Sequence, residues 1–528
     1  MLLMIIHNRG VSYNEGMKKR ELLDAARPHY TENQVLELEH AIDVATTAHT
    51  GQTRRSGEPY IIHPLAVANL LINWEMDIDS VLAGILHDTV EDTELTLEQI
   101  EAWFGRDVAF LVDGVTKVGQ ARSGMRDLES YLPQTKDNLS KLLIAVGRDV
   151  RVIIIKIADR LHNLQTLEHM PRDKQKKIAR ESLEVFAPMA DRLGMGGPRM
   201  QIEELGFKYL DPKEFERTRN LMKKRLGRST RKLGKVRQEV EAELKKQGVE
   251  FEINGRVKSV YSLHRKLKKV GGNIDDIYDL MALRIIVSDK AECYRTLGIL
   301  HGMYQPMIQR IKDYIAVPKT NGYQSLHTTV ITPNEQIVEF QVRSRAMHEY
   351  AESGLAASFH YHEQKDSNSY LKTSKMEKLP SQLQWITQLQ EIAGKLRNEE
   401  EISRDQLDID LFGKRMFVYS PRGDIYNLPE GALPLDFAYL VHTDIGKYAG
   451  GFKVNGNIQP FDKPLHNGDI VEVVKRKIPQ VKRAWLDQVV TSHAKTKIRA
   501  QLKQLGLMES ISGAAAIVRE KARRRQSS

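Results

Sequence analysis

Apolar residues recur at intervals of three and four from Tyr30 to about Ala190, a pattern that predicts a largely helical region. Two apolar segments of this region run directly into polar residues that can bind metal. VLAGIL is followed by HDTVED at 87–92, and VIIIKIA is followed by DRLHN at 159–163. Charged groups at the end of an apolar helix are costly to bury unless they bind a partner. The pattern therefore predicts a helical domain with a polar site where two apolar helices end.

Short runs with a period of two replace this pattern in the second half of the chain, as is typical of strands. In VEFQVRS, Glu339, Gln341 and Arg343 fall on one strand face and the apolar residues between them on the other. Arg256 and Lys258 are also two apart and share a face. From about residue 410, short strands alternate with Asn-Gly and Pro-Arg-Gly-Asp turns, which predicts a small mixed α/β roll.

A basic segment, RIKDYIAVPKTNGYQSLHTTV at 310–330, combines cations with a turn signal and a tyrosine. Lys and Arg neutralise phosphate, a glycine lets the backbone approach a ligand, and a Tyr ring offers a stacking face to a nucleobase. The segment predicts a phosphate-and-base pocket, although a solvated surface loop has a similar composition. Its candidate residues are Arg310, Lys312, Lys319, Asn321, Tyr323, Gln324, Ser325 and His327.

Imidazole and carboxylate donors at the ends of the apolar segments predict a metal site. His63, His87, Asp88 and Asp159 suit a divalent cation such as manganese or zinc and leave coordination positions for water. Helix caps and surface charges are the alternative explanation of the same residues.

A second pair of carboxylates lies among many cations. Asp279 comes just before a predicted strand that carries Arg284, and Glu339 lies in the strand VEFQVRS. Magnesium-dependent phosphoryl transfer needs such a pair, because the metal neutralises developing charge while basic groups hold the phosphates. The sequence contains no GxxxxGK[ST] segment, so ordinary P-loop chemistry is not expected.

Composition narrows the class of protein and its partners. The 528 residues suffice for three or four domains, and 41% hydrophobic with 28% charged residues indicate a globular protein. The net charge of +10 favours an anionic partner such as a nucleotide or RNA, unless it only reflects the source organism. Cys293 is the only cysteine, which excludes disulfide scaffolds and fits a reducing, cytoplasmic setting. No apolar run reaches the roughly 20 residues of a membrane span, and MLLMII is too short for a signal peptide.

The segments HP, HDTVEDT, GVTKV and KIADRLHN resemble the hydrolase domain of the RelA/SpoT homologue family. Members of this family are bifunctional enzymes that make and destroy the alarmones (p)ppGpp. The resemblance implies a helical HD-type domain that binds a manganese ion. The implied metal ligands are His63, His87, Asp88 and Asp159.

The same resemblance implies roles for the residues around the metal. Glu91 and Asp92 would activate or orient the water that attacks the 3′-pyrophosphate. Ser140 stands where the family usually carries an arginine, which is expected to alter substrate contacts or the coupling between the two sites. The residues implied to hold the nucleotide are Arg54, Arg55, Ser56, Asn163 and Thr166.

From about Glu252 to Tyr361 the chain resembles the synthetase domain of the family, a relative of nucleotidyltransferases. The implied reaction moves the β,γ-pyrophosphate of ATP to the 3′-hydroxyl of GDP or GTP and releases AMP. Asp279 would hold magnesium, Glu339 would help bind it and activate the attacking hydroxyl, and Tyr323 would stack on guanine. The other residues implied to bind nucleotide are Arg256, Lys258, Arg284, Lys312, Lys319, Asn321, His327 and Gln341.

Two further motifs bear on the comparison with this family. Residues 310–313, Arg-Ile-Lys-Asp, match the basic RxKD form of bifunctional members, in agreement with the intact HD motif. Ser358 and Phe359 stand where the family usually has Ala-His-Trp, which is expected to perturb packing more than chemistry.

Residues 410–476 resemble a TGS domain, a ubiquitin-like module that the family shares with threonyl-tRNA synthetases. His442 matches the position that meets the tRNA acceptor end in ribosome-bound relatives, unless it is only structural. Long family members continue into a zinc-finger-like region and an ACT domain, which this chain is expected to lack. Binding of uncharged tRNA and the ribosome is therefore expected to be reduced.

Together these patterns predict a multidomain α and α+β protein, with no membrane partner, that makes and hydrolyses (p)ppGpp with Mg²⁺ and Mn²⁺ at separate sites. Two alternatives stay open. In the first, either synthesis or hydrolysis dominates. In the second, the chain is a tRNA- or ribosome-binding nucleotide sensor. The predicted regions are an N-terminal tail (1–29), the hydrolase domain (30–200), a basic helical connector (201–250), the synthetase domain (251–363), a linker and helix (364–409), the TGS domain (410–476) and a basic helical tail (477–528).

Overall fold

The computed structural model describes residues 19–116, 138–274, 280–319, 321–354 and 415–504, with Ile277 and Ala356, and gives only the backbone at 138–140 and 227–232. Several residues singled out in the sequence lie outside this part of the chain. They are Asp279, the Ser358-Phe359 pair, the predicted linker at 364–409 and the side chain of Ser140.

Contacts within the chain divide it into two compact units, Met1–Lys378 and Leu379–Ser528. In the first unit a series of helices precedes a mixed sheet, and in the second unit short strands alternate with short helices. The predicted combination of α and α+β architecture is confirmed. Every helix within the described ranges is too short or too polar to cross a lipid bilayer.

Helices account for the regular structure described up to Arg192, as the apolar periodicity predicts. Thr31 begins the second helix with a capping box, in which its hydroxyl accepts from the Gln34 amide and its own amide donates to the Gln34 side chain. A helix also forms inside the predicted N-terminal tail, where Leu22 and Ala26 are fully buried. The helices are α1 (Lys19–Ala26), α2 (Glu32–Ala48), α3 (Ile62–Asn73), α4 (Ile78–Leu86), α5 (Thr89–Asp92), α6 (Leu97–Val115), α7 (Asn138–Arg148), α8 (Arg151–Gln165), α9 (Arg172–Glu181) and α10 (Ala187–Arg192).

Two more helices, α11 (Gly196–Leu210) and the 35-residue α12 (Pro212–Lys246), occupy most of the predicted connector. Basic residues such as Lys223 and Lys224 are exposed on α12. Its apolar residues recur at helical spacing and belong to the same buried core as the sheet that follows. These core residues are Phe215, Met222, Leu226, Leu233, Val236, Val240 and Leu244. The helix therefore forms one wall of the following domain, because its apolar stripe is buried against that core.

The next region contains a six-stranded sheet. Its elements are β1 (Phe251–Val257), α13 (Val260–Lys269), β2 (Met281–Val287), α14 (Lys290–Met303), β3 (Gln305–Pro306), β4 (Lys312–Asp313), β5 (Leu326–Ile331), β6 (Ile337–Ser344) and α15 (Arg345–Ser353). The strand order is β1-β2-β6-β5-β3, with β4 paired to β5. β2 and β6 are parallel, whereas the other pairs are antiparallel. The side chains of Leu283, Phe340 and Val342 are buried in the core on one face of the sheet, which leaves the other face for polar residues.

The second unit is a small α/β roll, as its turn pattern predicts. Its elements are β7 (Arg415–Tyr419), β8 (Ile425–Pro429), α16 (Pro434–Val441), α17 (Thr443–Lys447), β9 (Ala449–Val454), β10 (Asn457–Gln459), β11 (Val471–Lys475), α18 (Trp485–Gln488) and a helix over residues 492–504. Trp485 and Ile498, within the predicted tail, are buried in the core of this roll. The buried Asp436 carboxylate accepts from the amides of Val490 and Thr491 and thereby attaches the start of the tail to α16.

Candidate metal and nucleotide sites

Four helices bring the predicted metal donors together in the first unit. His63 lies in the first turn of α3, His87 ends α4, Asp88 precedes α5 and Asp159 lies in α8. His63, His87 and Asp88 each offer a donor atom within 4.8 Å of the others. The Asp159 Oδ1 is 3.3 Å from His63 Nε2 and 3.9 Å from His87 Nε2. All four predicted donors therefore face one small volume.

Whether this cluster fits a metal can be judged from the surroundings of the buried Nε2 atom of His87. The His87 Nδ1 lies 2.8 Å from the Gly84 carbonyl oxygen and donates to it, which leaves Nε2 directed at the carboxylates of the cluster. Nε2 is 3.1 Å from Asp88 Oδ2, yet it has no hydrogen-bond partner among the described residues. A buried polar atom without a partner is unusual, whereas a His ligand typically donates its other nitrogen to a carbonyl. The donor set therefore fits a divalent metal.

Burial and neighbouring charges set the protonation of the donors. Burial is the main reason that the pKa of His63 is lowered to about 4. Burial alone would raise the pKa of Asp88, but His87 and His63 outweigh it and lower this pKa. At Asp159 burial would again raise the pKa, but Lys156, with its Nζ 2.8 Å from Oδ2, acts together with His63 and His87 to lower it well below its usual value. Ionised carboxylates and a neutral imidazole are the forms that bind metal.

Tyr60 is a site residue that the sequence analysis missed. Its hydroxyl oxygen lies 2.8 Å from Asp88 Oδ2 and 2.9 Å from Asp92 Oδ2, so the two carboxylates share its single proton as acceptors. Burial and these two carboxylates raise the pKa of Tyr60, so the phenol stays protonated and remains a donor. The available signal was its place three residues before His63, but a single tyrosine in a loop has no distinctive spacing.

Arg54 connects the loop before α3 with the end of α8. Its NH2 donates to Asn163 Oδ1 at 2.8 Å, and its NH1 donates to Thr166 Oγ1 at 3.1 Å. The structure thus brings together three of the predicted nucleotide-binding residues. His162 was not predicted, although its Nδ1 lies 2.7 Å from the Nδ1 of His63. Burial lowers the pKa of His162 to about 2, so one of the two rings can donate to the other as neutral imidazoles.

The remaining hydrolase predictions lie close to this cluster along the chain. Arg55 is exposed in the loop, and the partly buried Ser56 donates through its hydroxyl to Glu58 at 3.0 Å. Glu91 is partly buried on α5.

A second polar site covers one face of the sheet in the first unit. Residues two apart along a strand face the same side, so two cross-strand rows share this face. The rows are Arg256–Ala282–Glu339–Thr329 and Asn254–Arg284–Gln341–His327. Five of the predicted nucleotide or metal residues therefore lie on neighbouring strands.

Hydrogen bonds connect these residues into one network. Arg256 NH1 donates to Gln341 Oε1 at 2.7 Å, and Gln341 Nε2 donates to Glu339 Oε1 at 2.9 Å. His327 Nδ1 lies 3.3 Å from the same Glu339 oxygen. The His327 Nε2 is 3.0 Å from the Tyr323 hydroxyl, which donates to it when Nδ1 carries the proton.

Glu339 is a carboxylate surrounded by cations. Burial alone would raise its pKa, but His327 and Lys258 outweigh burial and lower the pKa to about 2. Burial also lowers the pKa of Lys319 to about 8 and that of Arg284 to about 10. An ionised carboxylate among partly desolvated cations suits a polyphosphate bound with a metal ion. Asp279, the predicted second ligand, lies outside the described residues.

The predicted base-binding loop packs against this face. Lys319 Nζ lies 4.7 Å from the ring centroids of both Tyr314 and Tyr323. Tyr314 was not predicted, although it lies within the basic segment at 310–330. Asn321 Oδ1 accepts from the Tyr323 amide at 3.2 Å, while Lys312 is exposed on β4.

Glu352 on α15 is a further residue that sequence reasoning missed. Its Oε1 lies 3.2 Å from Arg284 NH1 and 3.2 Å from Arg343 NH2. It holds two guanidinium groups beside the polar sheet face. No spacing in the sequence connects a helix carboxylate with two different strands.

His442 lies between α16 and α17 in the second unit. Its Nδ1 accepts from the Asp444 amide at 3.1 Å and caps α17. The His442 side chain is 65% exposed, so its other ring nitrogen is available to a partner.

Three parts of the chain match known families. Residues 41–196 match the HD domain, residues 255–366 match the region found in RelA / SpoT proteins, and residues 416–475 match the TGS domain.

Curated relatives are similar to this chain along most of its length. The chain is 40% identical to the GTP pyrophosphokinase of Myxococcus xanthus, and the match covers 88% of the chain and 60% of the relative. It is 40% identical to the guanosine-3′,5′-bis(diphosphate) 3′-pyrophosphohydrolase of Aquifex aeolicus over 92% of its length and 67% of the relative. The chain is also 40% identical to the bifunctional (p)ppGpp synthase/hydrolase SpoT of Escherichia coli, and this match covers 91% of the chain and 67% of the relative. The chain thus spans three fifths to two thirds of these curated relatives.

We expect Tyr60→Phe to weaken binding of Mn²⁺ to the metal-free protein by about 10- to 100-fold, because a ligand carboxylate loses the donor that orients it. Titration calorimetry measures the affinity directly. Tyr30→Phe is the matched control, because it removes a buried hydroxyl bonded to the Met76 carbonyl oxygen in the same region. Equal affinities of Tyr60→Phe and the wild type would separate Tyr60 from the metal site.

Proposed function

The chain belongs to the RelA/SpoT family, and from this we propose that it both makes and destroys (p)ppGpp. Synthesis transfers the pyrophosphate of ATP to the 3′-hydroxyl of GDP or GTP and releases AMP. Hydrolysis removes the same pyrophosphate and regenerates GDP or GTP. The observation that carries this proposal is the presence of two separate sites in the first unit: a donor cluster at His63, His87 and Asp88, and a basic sheet face around Glu339.

In the proposed hydrolase site, the metal is Mn²⁺, which would lower the pKa of a bound water and polarise the phosphate. The residues of the chain have three tasks. Glu91 and Asp92 orient the attacking water and accept its proton, and Tyr60 holds Asp92 in place. Arg54, fixed by Asn163, neutralises the phosphate, and Arg55 and Ser56 border it in the same loop. The ligands would be His63, His87, Asp88 and Asp159.

In the proposed synthetase site, Asp279 and Glu339 would hold Mg²⁺, which would neutralise charge that develops on the transferred phosphates. The low pKa of Glu339 keeps it ionised for this task. Arg256 and Lys258 bind the phosphates of ATP, and Arg284, Lys312 and Gln341 extend the donor nucleotide site. Tyr323 stacks on guanine, with Lys319, Asn321 and His327 around the acceptor nucleotide.

The TGS domain supports a further proposed partner. We propose that His442 contacts uncharged tRNA, on the ribosome or free, through the ring nitrogen that does not cap α17. Positive side chains of the same unit, such as Lys447 and Arg476, would add attraction to the RNA backbone.

Asp88→Ala is expected to reduce hydrolysis of ppGpp by about a hundredfold or more while synthesis persists, because the variant loses a metal ligand but leaves the sheet face unchanged. Parallel assays with ppGpp plus Mn²⁺, and with ATP plus GDP and Mg²⁺, measure both activities. Asp43→Ala, an exposed carboxylate of α2, is the control. Loss of both activities in Asp88→Ala alone would contradict two independent sites.

Glu339→Gln is expected to lower the kcat of synthesis by about 100- to 1,000-fold, because the isosteric amide removes the charge beside the metal. Hydrolysis should stay at the wild-type level. Glu335→Gln, an exposed residue of the turn between β5 and β6, should change neither activity. Undiminished synthesis by Glu339→Gln would remove this residue from the mechanism.

His442→Ala is expected to weaken binding of uncharged tRNA by roughly tenfold, as measured by fluorescence anisotropy. His442→Asn keeps a side-chain acceptor for the cap of α17 and should bind tRNA equally weakly. His466→Ala, in a side chain that is 76% exposed in the same unit, is the control. Wild-type affinity in both His442 variants would make this residue structural.

A further inference from the structure

The segment that carries Tyr323 is attached to the end of the hydrolase region by a side-chain bond. Asn321 Nδ2 donates to Asp191 Oδ1 at 3.2 Å, and Asp191 lies on α10, within the residues that match the HD domain. The Asn321 Oδ1 accepts from the Tyr323 amide at 3.2 Å. One side-chain amide therefore connects Asp191 with the residue proposed to stack on guanine.

Close backbone packing holds residues 193–194, which follow Asp191, against Asn321 and against the end of α15. A Cβ atom on Gly194 would lie 3.0 Å from the Asn321 carbonyl oxygen, and a Cβ on Gly354 would lie 2.2 Å from the Leu193 carbonyl oxygen. Both glycines have positive φ, 73° and 63°, which other residues rarely adopt. Asp191 stays within reach of Asn321 as long as this packing is intact.

Asp191 also has a cationic partner. Arg199 of α11 places its NH1 3.2 Å from Asp191 Oδ1, the same oxygen that accepts from Asn321. The Asp191 side chain is 49% exposed and that of Arg199 is 32% exposed. A partly exposed ion pair contributes little to stability, so the arrangement is better explained by the orientation it gives to Asn321.

We propose that Asp191 is a positioning residue of the synthetase site. It orients the Asn321 amide, and through it the backbone of Tyr323, and thereby sets the affinity for the acceptor guanine nucleotide. This inference rests on the proposed function and deepens it. It assigns acceptor binding in part to a residue outside the region 255–366 that matches RelA / SpoT proteins.

The test is steady-state kinetics of synthesis by the full chain, with ATP and GDP varied separately. Asp191→Ala should raise the KM for GDP about tenfold, through loss of a charged hydrogen-bond acceptor, and leave the KM for ATP within about twofold. Asp191→Asn keeps an oxygen that accepts from Asn321 and should restore the KM for GDP to within about threefold of the wild type. Asp173→Ala, an exposed carboxylate of α9, is the control.

A double-mutant cycle shows whether Asp191 acts through Asn321. In an Asn321→Ala background, Asp191→Ala should raise the KM for GDP no further. An additional tenfold rise in that background would overturn the proposed route. A parallel rise in both KM values, or a matching fall in ppGpp hydrolysis, would show a structural role and overturn the proposal.

Binding without turnover separates this inference from the proposed function. If the wild-type chain converts neither ATP plus GDP nor ppGpp, the proposed function fails. Titration calorimetry of the wild type and Asp191→Ala with GDP then decides the inference alone. About tenfold weaker binding by the variant supports it, and equal affinity overturns it.

Discussion

Desolvation of charged groups is the constraint on which both sites depend. A carboxylate or imidazole that leaves water must find an opposite charge, a hydrogen-bond partner or a ligand. At the ends of α4 and α8 the groups are carboxylates and imidazoles, so this cluster favours binding of a metal cation. On and beside the sheet face the charged groups are mainly Arg and Lys, with Glu339 among them, so that surface favours phosphate. The same energetic requirement gives the two sites opposite electrostatic character within one compact unit.

The sequence was most informative where a periodic apolar pattern is followed directly by polar residues that can bind a metal or a phosphate. His87, Asp88 and Asp159 follow buried apolar helices, and the structure places them in one cluster because those helices pack side by side. Alternation in VEFQVRS likewise revealed which side of β6 carries Glu339 and Gln341. In both cases the helix or strand period determines the direction of the side chain, so the spacing alone predicts which residues face the same side.

Other features depend on contacts between segments that are distant along the chain, and these contacts produce no recognisable spacing in the sequence. Tyr60 and Glu352 act through single bonds to residues far along the chain. The tail of the second unit looked like a basic helix, but Trp485 fills the core of the roll and so belongs to the domain. The length and charge of α12 suggested a connector, because its widely spaced apolar stripe is diluted by Lys and Arg. Asp279 stays a prediction, as do the roles of the individual site residues.

The order of the two sites along the chain matters while the protein is being made. The metal donors all lie between His63 and Asp159, whereas the polar sheet face needs the parallel pairing of β2 with β6, which ends at Ser344. Domains fold as units, and those nearer the N-terminus leave the ribosome first. The site assigned to hydrolysis is therefore complete nearly two hundred residues before the site assigned to synthesis. A chain that ended between Asp159 and Ser344 would carry the metal donors without the sheet face, so under the proposed assignment it would keep only the hydrolytic half of the cycle.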